Sequence, residues 1–323
     1  MKKGKKFLLV IFSTLLILWG ILFVISHIVY RRSVMATLFE WFISAVNPET
    51  TEAGTAEQLA ERKQEKEPVY TFQGKVKSSV TQDSFQNLDI YTLNKEDSYP
   101  ILIYIHGGAY VSEIMTFQWR MMDKIAQKSN CEVRGIIYPL APWHTWEESY
   151  ESITDYYVHV RKENPSRPVF LCGDSAGGGL ALGIAINIAE KEYHAPDGLI
   201  LLSPWVNAAE SDFDSAAYEA VDPLLSPGQL RASAQTWAGD EPLEDWHISP
   251  INGDLAGLHN VHIFVGTREL FYPDNVLLYE KLEDLKIECS LTVQPGMNHV
   301  YPMFPIPEAA IAYRQIASII NAE

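Results

Sequence analysis

A chain of 323 residues that is 47% hydrophobic and 20% charged can bury one large core, which excludes a disordered or fibrous protein. Forty-one acidic side chains against 25 basic ones leave a formal net charge of −16, which argues against a nucleic-acid partner, because phosphate contacts need a basic patch. Cys131, Cys172 and Cys289 fall in no CxxC or metal-ligand spacing, so no disulfide framework, metal or cofactor is expected.

The amino terminus, MKKGKK, carries four lysines. The next 24 residues, Phe7 to Tyr30, hold no Asp, Glu, Lys or Arg. As a helix they would be about 36 Å long, enough to cross a hydrocarbon core of ~30 Å. The run exceeds the ~7–15 apolar residues of a cleaved signal peptide, and no A-x-A site follows it. Residues 7–30 are therefore expected to sit in the lipid bilayer as a retained anchor, inside an amino-terminal region of residues 1–32. Four lysines before the span, against Arg31 and Arg32 after it, favour a cytosolic amino terminus and an extracytoplasmic body. These 32 residues hold six bases and no acid, so the body keeps 19 bases against 41 acids and should not spread on an anionic membrane surface.

Residues 33–68 read as a helical linker or cap segment. VMATLFEWFISAV (Val34 to Val46) is an apolar helix that would pack on the body or lie near the membrane. NPETTEAG (47–54) is a breaker, and AEQLAERKQEKEP (56–68) is a polar surface helix ended by Pro68. From Val69 the pattern changes. VYTFQGKVKSSV (69–80) and NLDIYTLN (87–94) alternate at period two, as strands do. After Tyr99-Pro100 come six short apolar runs separated by helical stretches: ILIYIH, VRGIIYP, VFLCG, GLILLSP, VHIFVG and CSLTVQP. Continuous apolar runs suit strands of a parallel sheet covered on both faces. The fold class is therefore α/β, with ligands at the carboxyl ends of the strands. Residues 206–247 interrupt this alternation with AAESDFDSAAYEA and DPLLSPGQLRASAQTWAG, and are expected to form an insertion that caps the site.

Gly173-Asp174-Ser175-Ala176-Gly177 stands between an apolar strand and a helix, the setting in which G-x-S-x-G forms a nucleophile elbow. Ser175 is the candidate nucleophile, and the N–H of Ala176 at the helix start would point at developing negative charge. His106-Gly107-Gly108-Ala109 ends the first run of the series and matches the oxyanion loop type found upstream of such elbows, with Gly107 and Gly108 as expected donors. His106 is expected to make structural hydrogen bonds only. The general base must follow the last strands, which selects His299 in QPGMNHVYP over His247, His259 and His262. Two carboxylates follow VHIFVG. Glu269 lies nearer the strand end and is favoured as the acid; Asp274, the alternative acid, precedes a helix and looks like its N-cap.

With its HGG loop, GDSAGG elbow, YPLAP (138–142), LLSPW (201–205) and SPINGDLAGLHNVHIFVG (249–266), the chain resembles the hormone-sensitive-lipase-type family of α/β hydrolases over roughly residues 70–320. The resemblance implies an α/β-hydrolase fold, a mostly parallel eight-stranded sheet and a helical cap in a catalytic domain of residues 69–323. It also implies metal-free serine hydrolysis of carboxylic esters; the expected substrates are small-molecule esters of short to medium acyl length. The family's acid position, commonly Asp, falls on Glu269, and its Gly-Gly-Gly loop reads Gly-Gly-Ala here. A deacetylase of surface carbohydrate or acylated small molecules is the alternative within hydrolases. A membrane-tethered binding protein on an inactive hydrolase fold is the alternative outside them, and it would call for a missing Ser, His or oxyanion glycine.

Overall fold

The alternation of apolar runs with helices closes into one sheet. The computed structural model describes residues 2–47, 51–209 and 215–322. Its eight strands are β1 (Val80–Phe85), β2 (Leu88–Leu93), β3 (Ile101–Ile105), β4 (Glu132–Ile137), β5 (Val169–Asp174), β6 (Gly198–Leu202), β7 (Val261–Arg268) and β8 (Cys289–Asn298). They lie in the order β1-β2-β4-β3-β5-β6-β7-β8. β2 runs antiparallel to both β1 and β4, and every other neighbouring pair is parallel, so the sheet is mixed.

Its core is double. Along β3, Ile101, Ile103 and Ile105 enter one apolar cluster while Leu102 and Tyr104 enter the other. Each face is covered by helices, which is why the run is apolar without alternation. The body helices that follow the first strands are α4 (Thr116–Ser129), α5 (Trp146–Glu163), α6 (Ser175–Glu190), α7 (Ser215–Glu219), α8 (Pro227–Ala238), α9 (Tyr272–Asp284) and α10 (Pro307–Ile320). The central helix α6, which opens at the elbow, is buried from Ser175 to Ile188.

Ahead of the body come α1 (Lys2–Val24), a π-helical turn (Ile25–Val29), α2 (Val34–Val46) and α3 (Glu52–Lys63). Within them, Val10–Val29 is long and apolar enough to cross a membrane, with a mean hydropathy of 2.3. Apart from the half-buried Leu22 and Ile25, the large apolar side chains of this stretch are exposed, from 41% for Ile11 to 68% for Ile28. α3 packs on α8 of the insertion. Residues 48–50 of the expected breaker and 210–214 of the insertion lie outside the described residues.

The sequence expectations need three corrections here. The stretch 69–79 is not a strand; β1 begins at Val80. Tyr70 and Phe72 alternate because they pack on Tyr91 and Trp119, and Lys77 and Ser78 give their N–H groups to Asp123 rather than to a neighbouring strand. The polar helix starts inside the expected breaker, with Thr51 accepting from the Gly54 N–H, and ends at Lys63 rather than at Pro68. Asp274 is not an N-cap: Phe271 occupies that position and Asp274 lies in the first turn of α9, where its charge faces the positive end of the helix.

Candidate active site

Ser175 occupies the corner between β5 and α6 with φ of +53°. A side-chain-bearing residue in this left-handed region is strained, and the glycines around it make the corner sterically possible. A Cβ on Gly173 would lie 2.1 Å from the Gly177 carbonyl oxygen, and one on Gly177 would lie 2.2 Å from that of Ile105. Ser175 is 8% exposed, so its hydroxyl sits at the floor of the site rather than on the surface. The N–H of Ala176, in the first turn of α6, has no carbonyl one turn earlier within the helix.

The oxyanion loop is held from below by Asp174. Its buried carboxylate accepts from the Gly107 N–H (2.9 Å), from Gln118 Nε2 (2.9 and 3.1 Å) and from the Tyr104 hydroxyl. Burial pushes the Asp174 carboxyl up, and these donors pull against that shift. The Gly107 N–H is thus committed to Asp174 and cannot meet an oxyanion, contrary to expectation. The next N–H groups along the loop, those of Gly108 and Ala109, are given no partner among the described residues. Positive φ at Gly108 (+133°) and Ala109 (+53°) turns this backbone out of the strand direction. His106 is wholly buried, stacks on Tyr138 and meets the Gly107 carbonyl through Nδ1 at 2.8 Å; burial lowers its pKa to about 4, so it is a neutral structural group.

Glu269, just past β7, and His299, just past β8, are brought together by the pairing of those two strands. Glu269 Oε1 stands 3.7 Å from His299 Nδ1. Both residues are buried. Burial opposes a charge on the imidazole, but Glu269, Asp222 and Asp174 outweigh it and raise the His299 pKa. The other oxygen of Glu269 accepts from Ser203 Oγ at 2.8 Å and from the Gly266 N–H at 3.3 Å. Ser203 also accepts from the Val300 N–H (3.0 Å), so one buried hydroxyl ties Glu269 to the loop carrying His299. Asp274 is not part of this group: it lies a turn into α9 and accepts from Asn207 Nδ2 at 3.3 Å.

Two connections reach the insertion. Asp222 accepts from the N–H groups of Leu224 and Leu225 through one oxygen and from that of Leu270, next to Glu269, through the other. A stacked aromatic string runs from Trp237 in α8 through Tyr110, Trp205 and Phe271 to the edge of His299. Sequence reading singled out none of Gln118, Tyr104 and Ser203, nor the N–H of Ala109. The signal for Ser203 was present in LLSPW; Gln118 and Tyr104 gave none.

A sequence profile of the family described as alpha/beta hydrolase fold matches residues 102–303. An esterase from Acinetobacter venetianus is 28% identical over 226 residues, covering 69% of this chain and 75% of that protein. The hormone-sensitive lipase of Mus musculus is 26% identical over 146 residues, covering 44% of this chain and 19% of the lipase. The crystal structure of a candidate esterase from Staphylococcus aureus superimposes with a TM-score of 0.79 at 28% identity, covering 85% of this chain and 95% of that one.

Proposed function

The chain belongs to the α/β-hydrolase-fold family, on its hormone-sensitive-lipase-type branch, and on that footing we propose that it is a serine hydrolase of carboxylic esters with Ser175, His299 and Glu269 as its triad. One observation carries the reading: a strained serine between a buried strand and a buried helix, followed in the chain by a buried carboxylate–imidazole pair. Ser175 Oγ attacks the acyl carbonyl carbon while His299 takes its proton. Glu269 holds the imidazole in the tautomer with hydrogen on Nδ1, and stabilises the imidazolium once it forms. The oxyanion is met by the N–H groups of Gly108, Ala109 and Ala176. The C–O bond to the alcohol then breaks as the imidazolium returns its proton to the leaving oxygen. Water repeats the sequence on the acyl-serine and releases the acid.

In the same reading residues 7–30 are a retained anchor and the body is extracytoplasmic, supported by the exposed apolar helix and the lysines that precede it. The substrates are small esters of short to medium acyl length.

A fluorophosphonate probe tests the nucleophile, since it should label the wild-type chain and not Ser175→Ala. Equal labelling of both would overturn the assignment. Turnover of p-nitrophenyl esters from acetate upward then ranks acyl lengths, and a preference for acetate alone would favour the deacetylase alternative.

A further inference from the structure

The polarity of α2 is inverted for a helix at a protein surface. Its outward side chains are Met35 (54% exposed), Leu38 (46%), Trp41 (47%), Phe42 (60%) and Val46 (58%), with Ser44 and Ala45 beside them. None carries a charge. Its one carboxylate, Glu40, points the other way and is 5% exposed. There it pairs with Arg32 and, at 3.0 Å, with Arg268. Burial would raise the Glu40 pKa, but the two guanidiniums lower it. A helix facing water places its charges outward and its apolar stripe inward.

The helix is also fixed to both of its neighbours. On one side, the π-helical turn that ends the apolar span lies four residues before α2. The turn between them is closed by the Arg32 N–H on the Ser26 carbonyl at 2.9 Å, and Ser26 is buried. On the other side, Arg32 Nη1 donates to the Gly296 carbonyl (2.8 Å) and meets Asn298 Oδ1 (3.4 Å), the residue before His299. Ser33 gives its N–H (2.6 Å) and hydroxyl (3.0 Å) to Glu308 at the start of α10. Phe39 packs against Phe304 with its ring tilted, centroids 4.8 Å apart. No loose linker separates the span from the base-bearing loop.

We propose that the outer face of α2 lies in the headgroup–acyl boundary of the same bilayer that α1 crosses, so that the body rests on the membrane beside its His299 loop. This rests on the reading of residues 7–30 as a retained anchor. A phospholipid surface is the occupant that continuity selects, because a helix beginning four residues beyond a span stays within reach of the headgroups. The chemistry of the face agrees: it offers aliphatic bulk and an indole, which suit the boundary, and no charge for a protein partner to pair with. Docking in this way brings the site to esters dissolved in the bilayer as well as to those in water.

The test uses the full chain in phosphatidylcholine vesicles. Cys289→Ser leaves only Cys131 and Cys172, both fully buried, so a single new cysteine can carry an environment-sensitive fluorophore. Phe42→Cys reports on α2, with Leu38→Cys as a second position on the same face, and Phe12→Cys reports on the span. Fluorophosphonate labelling shows that each variant is folded. The expected result is apolar emission at positions 42 and 38, with about twofold quenching by brominated acyl chains, as at position 12. Lipid quenching at position 12 with watery emission at 42 and 38 would overturn the docking and leave the anchor standing. Watery emission at all three would overturn both. Apolar emission at 42 and 38 without lipid quenching would overturn the docking in favour of a second copy or another protein.

Discussion

Replacing Ser203 by alanine tests the wiring beneath the triad without touching any group proposed to meet substrate. The hydroxyl donates to Glu269 at 2.8 Å and accepts from the Val300 N–H at 3.0 Å, all within the core. Its removal takes one of two neutral donors from a buried carboxylate and leaves only the 3.3 Å contact with Gly266. A hydrogen bond to a charged group is worth about 1.5–3 kcal/mol, and an orphaned buried N–H costs about 1–3 kcal/mol. The two losses share one site, so a combined cost of about 3 kcal/mol is reasonable. For a body of about 290 residues, an unfolding entropy of ~2.1 cal/mol/K per residue turns that into a Tm lowered by about 5 °C. The kinetic effect should be separate. With Glu269 and the loop after β8 no longer tied together, kcat on p-nitrophenyl acetate should fall about 10- to 100-fold with KM little changed, as for an interaction realised in the transition state. Thermal melts and steady-state kinetics on purified protein measure both. A Tm loss of this size with kcat within twofold of wild type would show that Ser203 only holds the fold and does not position the acid.

Glu269→Gln should lower kcat by at least ~10³-fold and Asp274→Asn by less than ~3-fold on the same substrate; the reverse ranking would transfer the acid role to Asp274. The acid limb of kcat/KM follows loss of the His299 proton, and because Glu269 and its neighbours raise that pKa, the limb should lie above 6.5 and move to lower pH in Glu269→Gln. The same shift sets a stability dependence: the contribution of charged His299 is fully present below 6.5 and is lost as pH rises through its folded pKa. Gly107→Ala would put a Cβ 2.6 Å from the Asp174 carbonyl and carboxylate oxygens, so the loop must shift and kcat should drop by about 10²-fold while the protein still folds; a near-wild-type rate would free the loop from the role proposed for it. Sequencing the mature amino terminus should find a start ahead of Phe7, whereas a start beyond Tyr30 would replace the anchor by a cleaved signal.

Strands β3 to β7 were legible because each is a short, largely apolar run bounded by turns and buried within the sheet, whereas β8, at the sheet edge, is half-buried from Cys289 to Gln294 and was legible from its alternation and its place in chain order. Chain order made the serine, the carboxylate and the imidazole legible as candidates. What failed depended on direction rather than on residue type. Residues 69–79 alternate like a strand, yet their side chains pack on Trp119 and Tyr91 while the backbone turns to Asp123. The oxyanion loop was located, but which amide faces the site depends on Asp174 taking the Gly107 N–H. That bond spans 67 residues, and no local pattern announces it. Gln118 reaches the same carboxylate from a different helix.

The Arg32–Glu40–Arg268 cluster also decides where the chain can be shortened without disturbing the site. A chain beginning at Arg31 would keep every contact of Arg32 with Gly296 and Asn298. Starting at Val34 would strip Glu40 of one of its two cations and bare the Gly296 carbonyl, close to His299. Breaking one side of a buried ion pair costs about 3–5 kcal/mol, and here the disturbance would fall on the loop that carries His299. Starting beyond Val46 would do more, uncovering Phe304 and Phe117 where Phe39 now packs. A weak or aggregating preparation from either shorter chain would therefore reflect the choice of boundary and not the catalytic capacity of the protein.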